Sequence, residues 1–180
     1  MVYPPRGLVI HIASGFYEGT IAWQDNPNAD VSSHFIIGRQ GECAQMVDTT
    51  DASWAQKSGN TTWLSAEFEG FGVEDSLHSQ HPGWEYLTPG QIDCAARLLL
   101  RGRSVYGWPL QVATSPSGRG LGHHSMGAES GVDWGHSLCP GEAIKSQKQS
   151  IIDRALVLLA GPPAARKDDG LPLAVQRLFL

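Results

Sequence analysis

Apolar residues recur along this chain with two different periods, and the period separates strands from helices. "GLVIHI", Gly7 to Ile12, is a short β-branched run of the kind that forms a buried strand. "SSHFIIGRQGECAQMVD", Ser32 to Asp48, reads as two strands joined by a turn at "RQGE", where Gly41 supplies a positive φ. In "WLSAEFEGF", Trp63 to Phe71, Leu64, Ala66 and Phe68 alternate with Ser65, Glu67 and Glu69, so both glutamates fall on one face of a strand. The longer, helical period begins at "TPGQIDCAARLLLRG". There Thr88 is an N-cap, Pro89 fits the first turn and Gln91 completes a capping box. Ile92, Ala95, Ala96 and Leu99 share one face, and Gly102 is expected to end the helix. "EAIKSQKQSIIDRALVLLA" predicts a second helix with Ile144, Ile151, Ile152, Ala155 and Leu159 on its apolar side. Interleaved strands and helices predict an α/β domain with a mixed central β-sheet flanked by α-helices. That domain is expected to span residues 1–160, with residues 161–180 a linker-like tail opening on "GPPAARKDDG".

Composition narrows the function classes. A chain of 180 residues suits one domain with a continuous core. A net charge of -5 offers no broad basic field for nucleic acid or anionic membrane, so neither is expected as a partner. No stretch reaches the roughly 18–20 apolar residues that span a bilayer. The start, "MVYPPRGLVIHIASG", lacks the charged and apolar regions of a signal peptide. Six tryptophans and 21 glycines suggest a loop-rich protein with aromatic surfaces, of the kind that handles carbohydrate. The cysteines are odd in number and lack CxxC spacing, which leaves Cys43 and Cys94 as free thiols or as a single bridge.

Candidate chemistry gathers at strand ends and in glycine-rich loops. His11 ends the first strand ahead of "ASG", and taken alone it reads as a hydrogen-bonded core histidine. His123 and His124 adjoin in "GLGHHSMG"; neighbours on a strand point to opposite faces, so at most one of them shares a site with His11. Cys139 lies in "WGHSLCPG". Two histidines and a cysteine suit zinc, because imidazole and thiolate both match that ion, and three protein ligands leave a fourth position open for catalysis. Glu67 by itself reads equally well as part of a solvated strand face. His34, in mid-pattern, reads as a structural hydrogen-bonder. His78 and His81 read as surface residues, and their loop, with Trp84 and Tyr86, as a wall for sugar or peptide.

The motifs "VIH", "SSHFIIGRQGECAQMVD", "WLSAEFEG", "LTPGQIDCAARLL", "GHHSMG" and "HSLCPG" together resemble, in order, one enzyme family. The chain is similar to the zinc-dependent N-acetylmuramoyl-L-alanine amidases of the type-2 amidase and peptidoglycan recognition protein superfamily, over roughly Gly7 to Ala160. The resemblance implies that fold, a zinc ion held by His11, His124 and Cys139, and Glu67 as the acidic residue beside the attacking water. It places Ser137 where relatives carry a residue that assists the oxyanion, with His136 as an alternative donor and substrate contact beside Trp84. Phe35 stands where many relatives have a tyrosine, which implies the loss of a phenol from the site. Ala55 stands where relatives often have a histidine.

The implied reaction is zinc-assisted hydrolysis of the amide between N-acetylmuramic acid and the L-alanine of the stem peptide, with the enzyme expected to act as a monomer on peptidoglycan. Two rival readings compete with this one. A non-catalytic recognition module of the same fold would lack the cysteine ligand, which is present here. A cysteine hydrolase using Cys139 is disfavoured because Pro140 prevents the thiol from opening a helix in the usual way. The implied setting is a phage endolysin that passes from host cytoplasm to cell wall after holin release, with a cytoplasmic bacterial wall-recycling or remodelling enzyme as runner-up.

Overall fold

A computed structural model describes residues 3–161. Its strands are β1 (Gly7–Ile12), β2 (Phe35–Ile37), β3 (Cys43–Gln45), β4 (Leu64–Phe68) and β5 (Gly120–His123). They form one sheet in the order β3-β2-β4-β1-β5. β1 runs parallel to both β4 and β5, β2 runs parallel to β4, and only β3 is antiparallel to its neighbour. The helices are α1 (Tyr17–Gln24), α2 (Pro89–Tyr106), α3 (Met126–Glu129), α4 (Glu142–Ser146) and α5 (Lys148–Ala160). The mixed sheet and its helices match the expected fold class, and the hairpin turns where "RQGE" predicted it, with Gly41 at φ 92°.

Alternation along the strands divides the interior in two. Leu8, Ile10, Ala66 and Phe68 meet Ala95, Leu99, Ile151 and Ala155 from α2 and α5. On the other face, Val9 joins Trp63, Ala113, Met126 and Trp134 in a smaller cluster. Each fully buried Leu or Ile contributes about 1.5–3 kcal/mol. A one-residue slip would turn His11 and Glu67 in among the helices and this apolar set onto the opposite face, so the register is strongly specified.

Several expectations are corrected. Gly102 does not end α2, which continues to Gly107 at φ 67°. Trp108 lies so close over Gly102 that a Cβ there would collide with the indole; the glycine serves that contact and not a helix stop. The second predicted helix is two helices, broken at Gln147. The Gln147 amide spans to Leu87, accepting from its N–H at 2.7 Å and donating to its carbonyl at 3.1 Å. Leu159 is 54% exposed and belongs to no packed face.

β4 stops at Phe68, and the carboxylate of Glu69 accepts the Arg39 backbone N–H at 2.7 Å. Phe35 pairs in register with Ala66 and packs in the helix-side core. A phenol at that position would point away from His11, so its loss does not affect the site. Cys43, Cys94 and Cys139 are all free thiols. No described helix is long and apolar enough to cross a membrane. The expected tail, residues 161–180, lies outside the described residues except for Gly161.

Candidate metal centre

The site sits at the C-terminal ends of β1, β4 and β5. Parallel pairing sets His11 beside Glu67 on the face opposite α2 and α5. At the end of β5 the alternation sends His123 toward the helices, where its Nδ1 lies 2.7 Å from Lys148 Nζ and its Nε2 lies 2.9 Å from Glu129. His124 turns the other way, with its ring centroid 4.4 Å from that of His11. The loop after α3 brings in Cys139: its carbonyl accepts from Ser125 N at 2.7 Å and its Sγ accepts from Ile12 N at 3.4 Å. One ligand atom each from His11, His124 and Cys139 then lie within 4.8 Å of one another.

Both histidines are fixed in tautomer by what binds Nε2. The Gln56 amide donates from Nε2 to the carbonyls of Gly59 (3.3 Å) and Trp63 (3.4 Å), which turns its Oε1 toward His11. His11 Nε2 donates to that oxygen at 3.0 Å, leaving Nδ1 unprotonated. His124 Nε2 donates to the Trp134 carbonyl at 2.6 Å, and its Nδ1 is buried without a hydrogen-bond partner. Such an orphan acceptor is costly unless something coordinates it. Burial, then repulsion from His124, holds His11 well below the ordinary histidine range, and burial lowers His124 as well. Neutral imidazoles are the ligand form.

Glu67 Oε1 lies 3.7 Å from His11 Nδ1, while its Oε2 is buried without a partner. Desolvation raises its pKa to about 7. Burial pushes the Cys139 thiol up, with the Glu67 charge adding to it. A half-buried thiol whose ionisation is suppressed in this way makes a poor free nucleophile, whereas a bound cation would hold it as thiolate. Two neutral imidazoles, one with an orphaned Nδ1, and a thiol therefore fit a borderline-soft divalent cation.

The remaining sequence candidates are arranged around this centre. His136 is exposed, with its ring centroid 5.7 Å from that of His124. Ser137 is exposed beside it. Trp84 is half-buried among Phe16, Phe71 and His81, with the Arg39 guanidinium 4.5 Å from its ring centroid. His81, expected at the surface, is half-buried and stacks on Phe71. His78 is half-buried as well, with its Nε2 3.1 Å from the Glu85 carboxylate. His34 is buried; its Nδ1 accepts from Ser65 N at 3.0 Å and its Nε2 donates to the Asp51 carbonyl at 3.0 Å, the structural role expected of it. Gln56, on which the His11 tautomer depends, was not singled out from the sequence, because a glutamine in a loop carries no periodic or spacing signal.

Comparison with known proteins identifies the family and the fold. The family described as N-acetylmuramoyl-L-alanine amidase matches residues 1–142. N-acetylmuramoyl-L-alanine amidase A of Achromobacter lyticus is 34% identical over 64 residues, which cover 35% of this chain and 36% of that protein. The chain thus spans about a third of the length of that relative. Among solved structures, the Staphylococcus aureus hydrolase AmiA in complex with its ligand aligns at TM-score 0.63 and 15% identity, over 87% of this chain and 75% of that one. Drosophila peptidoglycan recognition protein SD aligns at TM-score 0.56 and 18% identity, over 83% and 82%. At these identities the likeness establishes the fold.

Proposed function

Because the chain belongs to the N-acetylmuramoyl-L-alanine amidase family, we propose that it hydrolyses the amide between N-acetylmuramic acid and L-alanine in peptidoglycan, with zinc held by His11, His124 and Cys139. The observation that carries this reading is the convergence of those three ligand atoms within 4.8 Å, beside the half-buried carboxylate of Glu67. Zinc use is a feature of the family. Zinc bound there would supply Lewis acidity, polarising a carbonyl and lowering the pKa of water from about 15.7 to about 7.

The protein groups do the rest. Glu67 takes a proton from the attacking water at its unpartnered Oε2 and passes it to the leaving L-alanine nitrogen. Desolvation at this position raises the basicity of the carboxylate, which suits it to both steps. His136 or Ser137 donates to the developing oxyanion from the exposed loop, and Trp84 walls the substrate. One chain supplies every group named, so the reaction needs no second subunit. The setting that fits is lysis or remodelling of the bacterial wall, as by an endolysin. Mass spectrometry of digested peptidoglycan tests this directly. Stem peptides beginning with L-alanine are expected, their release stopped by a chelator and restored by zinc; cleavage at any other bond would refute it.

Two narrower outcomes follow from the geometry. Gln56→Leu removes the acceptor that orients His11 and should weaken zinc about 10- to 100-fold, read by chelator competition. Gln56→Glu keeps the acceptor and should lose less. Unchanged affinity in Gln56→Leu would reduce Gln56 to packing. His136→Ala should lower kcat about tenfold, or 1.4 kcal/mol, at nearly constant KM, with Ser137→Ala smaller. Both residues are solvated, so each should fall short of the 2.7–4 kcal/mol, or about that, typical of an enclosed oxyanion donor. Full kcat in both variants would leave the loop with the single task of placing Cys139.

A further inference from the structure

At the end of the sheet opposite the metal centre, Arg6, Thr62 and Arg119 stand just ahead of β1, β4 and β5. Strand pairing continues through them: Arg6 N donates to the Thr62 carbonyl at 2.8 Å, and Gly120 N donates to the Arg6 carbonyl at 3.2 Å. With Pro4 they line a cavity of about 170 Å³. Each guanidinium is anchored by a backbone carbonyl, Arg6 Nη1 on Ser117 at 2.8 Å and Arg119 Nη2 on Tyr106 at 3.0 Å. A guanidinium carries five N–H donors, so each anchor leaves most of them for another partner.

Neither arginine forms an ion pair among the described residues, although the chain carries a net charge of -5. Two arginines that line one cavity without an anionic partner among the described residues set up a locally positive field there. A single carboxylate would compensate only one of them. A phosphate group carries about -1.5 to -2 charge at pH 7 and three acceptor oxygens, which suits two donor forks approaching from different strands. Arg6 lies five residues from His11 on one extended strand, roughly 16 Å away, so such a ligand would not reach the metal centre.

We propose that the Arg6–Arg119 cavity binds a phosphate group, either as the free ion or as a phosphomonoester. The proposal does not depend on the amidase reading. Calorimetric titration of the full chain at constant ionic strength tests it, with inorganic phosphate, glycerol 1-phosphate and acetate as titrants. Saturable binding of phosphate but not acetate is expected, weakened at least tenfold in Arg6→Gln and in Arg119→Gln. Arg119→Lys, which keeps charge but loses the fork, should fall between wild type and Arg119→Gln. Cys139→Ser should bind phosphate as wild type does. Tighter binding of the ester than of the ion identifies an esterified ligand, and binding of the ion alone identifies free phosphate. Acetate binding as tightly as phosphate, unaltered binding in both Gln variants, or loss of binding in Cys139→Ser would each overturn the proposal. Should Arg6→Gln not fold, the exposed Arg119 decides the matter alone.

Discussion

Replacing Cys139 with serine is expected to remove zinc and peptidoglycan cleavage together. A serine hydroxyl stays protonated where a metal-bound thiol does not, so the site loses its anionic donor and keeps two neutral imidazoles. The fold should survive, because serine still offers Ile12 N–H an acceptor and the Cys139 carbonyl still accepts from Ser125. Elemental analysis beside circular dichroism makes the measurement: metal content should fall from about one zinc per chain to a small fraction, with an unchanged spectrum. His124→Ala should behave in the same way. His123→Ala should keep the metal, because that ring spends both nitrogens on Lys148 and Glu129. Stoichiometric zinc in folded Cys139→Ser would remove Cys139 from the ligand set.

Glu67→Gln should do the reverse, keeping zinc while losing turnover on the order of 10²-fold or more. Glutamine preserves the shape of the side chain but can neither take nor return a proton. The sequence left Glu69 as a competitor on the same strand face. The structure ties Glu69 to the Arg39 amide at 2.7 Å instead, so Glu69→Gln should leave turnover nearly unchanged. Steady-state rates on zinc-loaded variants compare the two, and an active Glu67→Gln enzyme would assign the proton transfer elsewhere.

What could be read from the sequence was local periodicity. Alternation placed Leu64, Ala66 and Phe68 against the helices and Glu67 on the other face, and the same parity separated His124 from His123. Which strands pair was not readable, and the pairing of β1 with β4 is what brings His11 to Glu67. Phe35 shows the cost of motif reading without parity. It adjoins a histidine in the chain, but its side chain packs in the helix-side core. Gly102 looked like a helix stop because a glycine's reason for being small, here the Trp108 indole, lies outside the local sequence. Gln147 broke a helix for a similar reason, its amide being engaged with distant Leu87.

The carbonyl that fixes the His124 tautomer belongs to Trp134, whose side chain lies against both Gly59 and Gly127, with no room for a Cβ at either. The aim of a metal ligand therefore rests on two positions that carry no side chain at all. A methyl group added at Gly59 or Gly127 would displace a tryptophan, the tryptophan a carbonyl, and the carbonyl an imidazole. Inactivating changes in this protein should therefore extend to glycines that touch neither metal nor substrate, and relatives that fill those positions must carry something smaller than tryptophan between them.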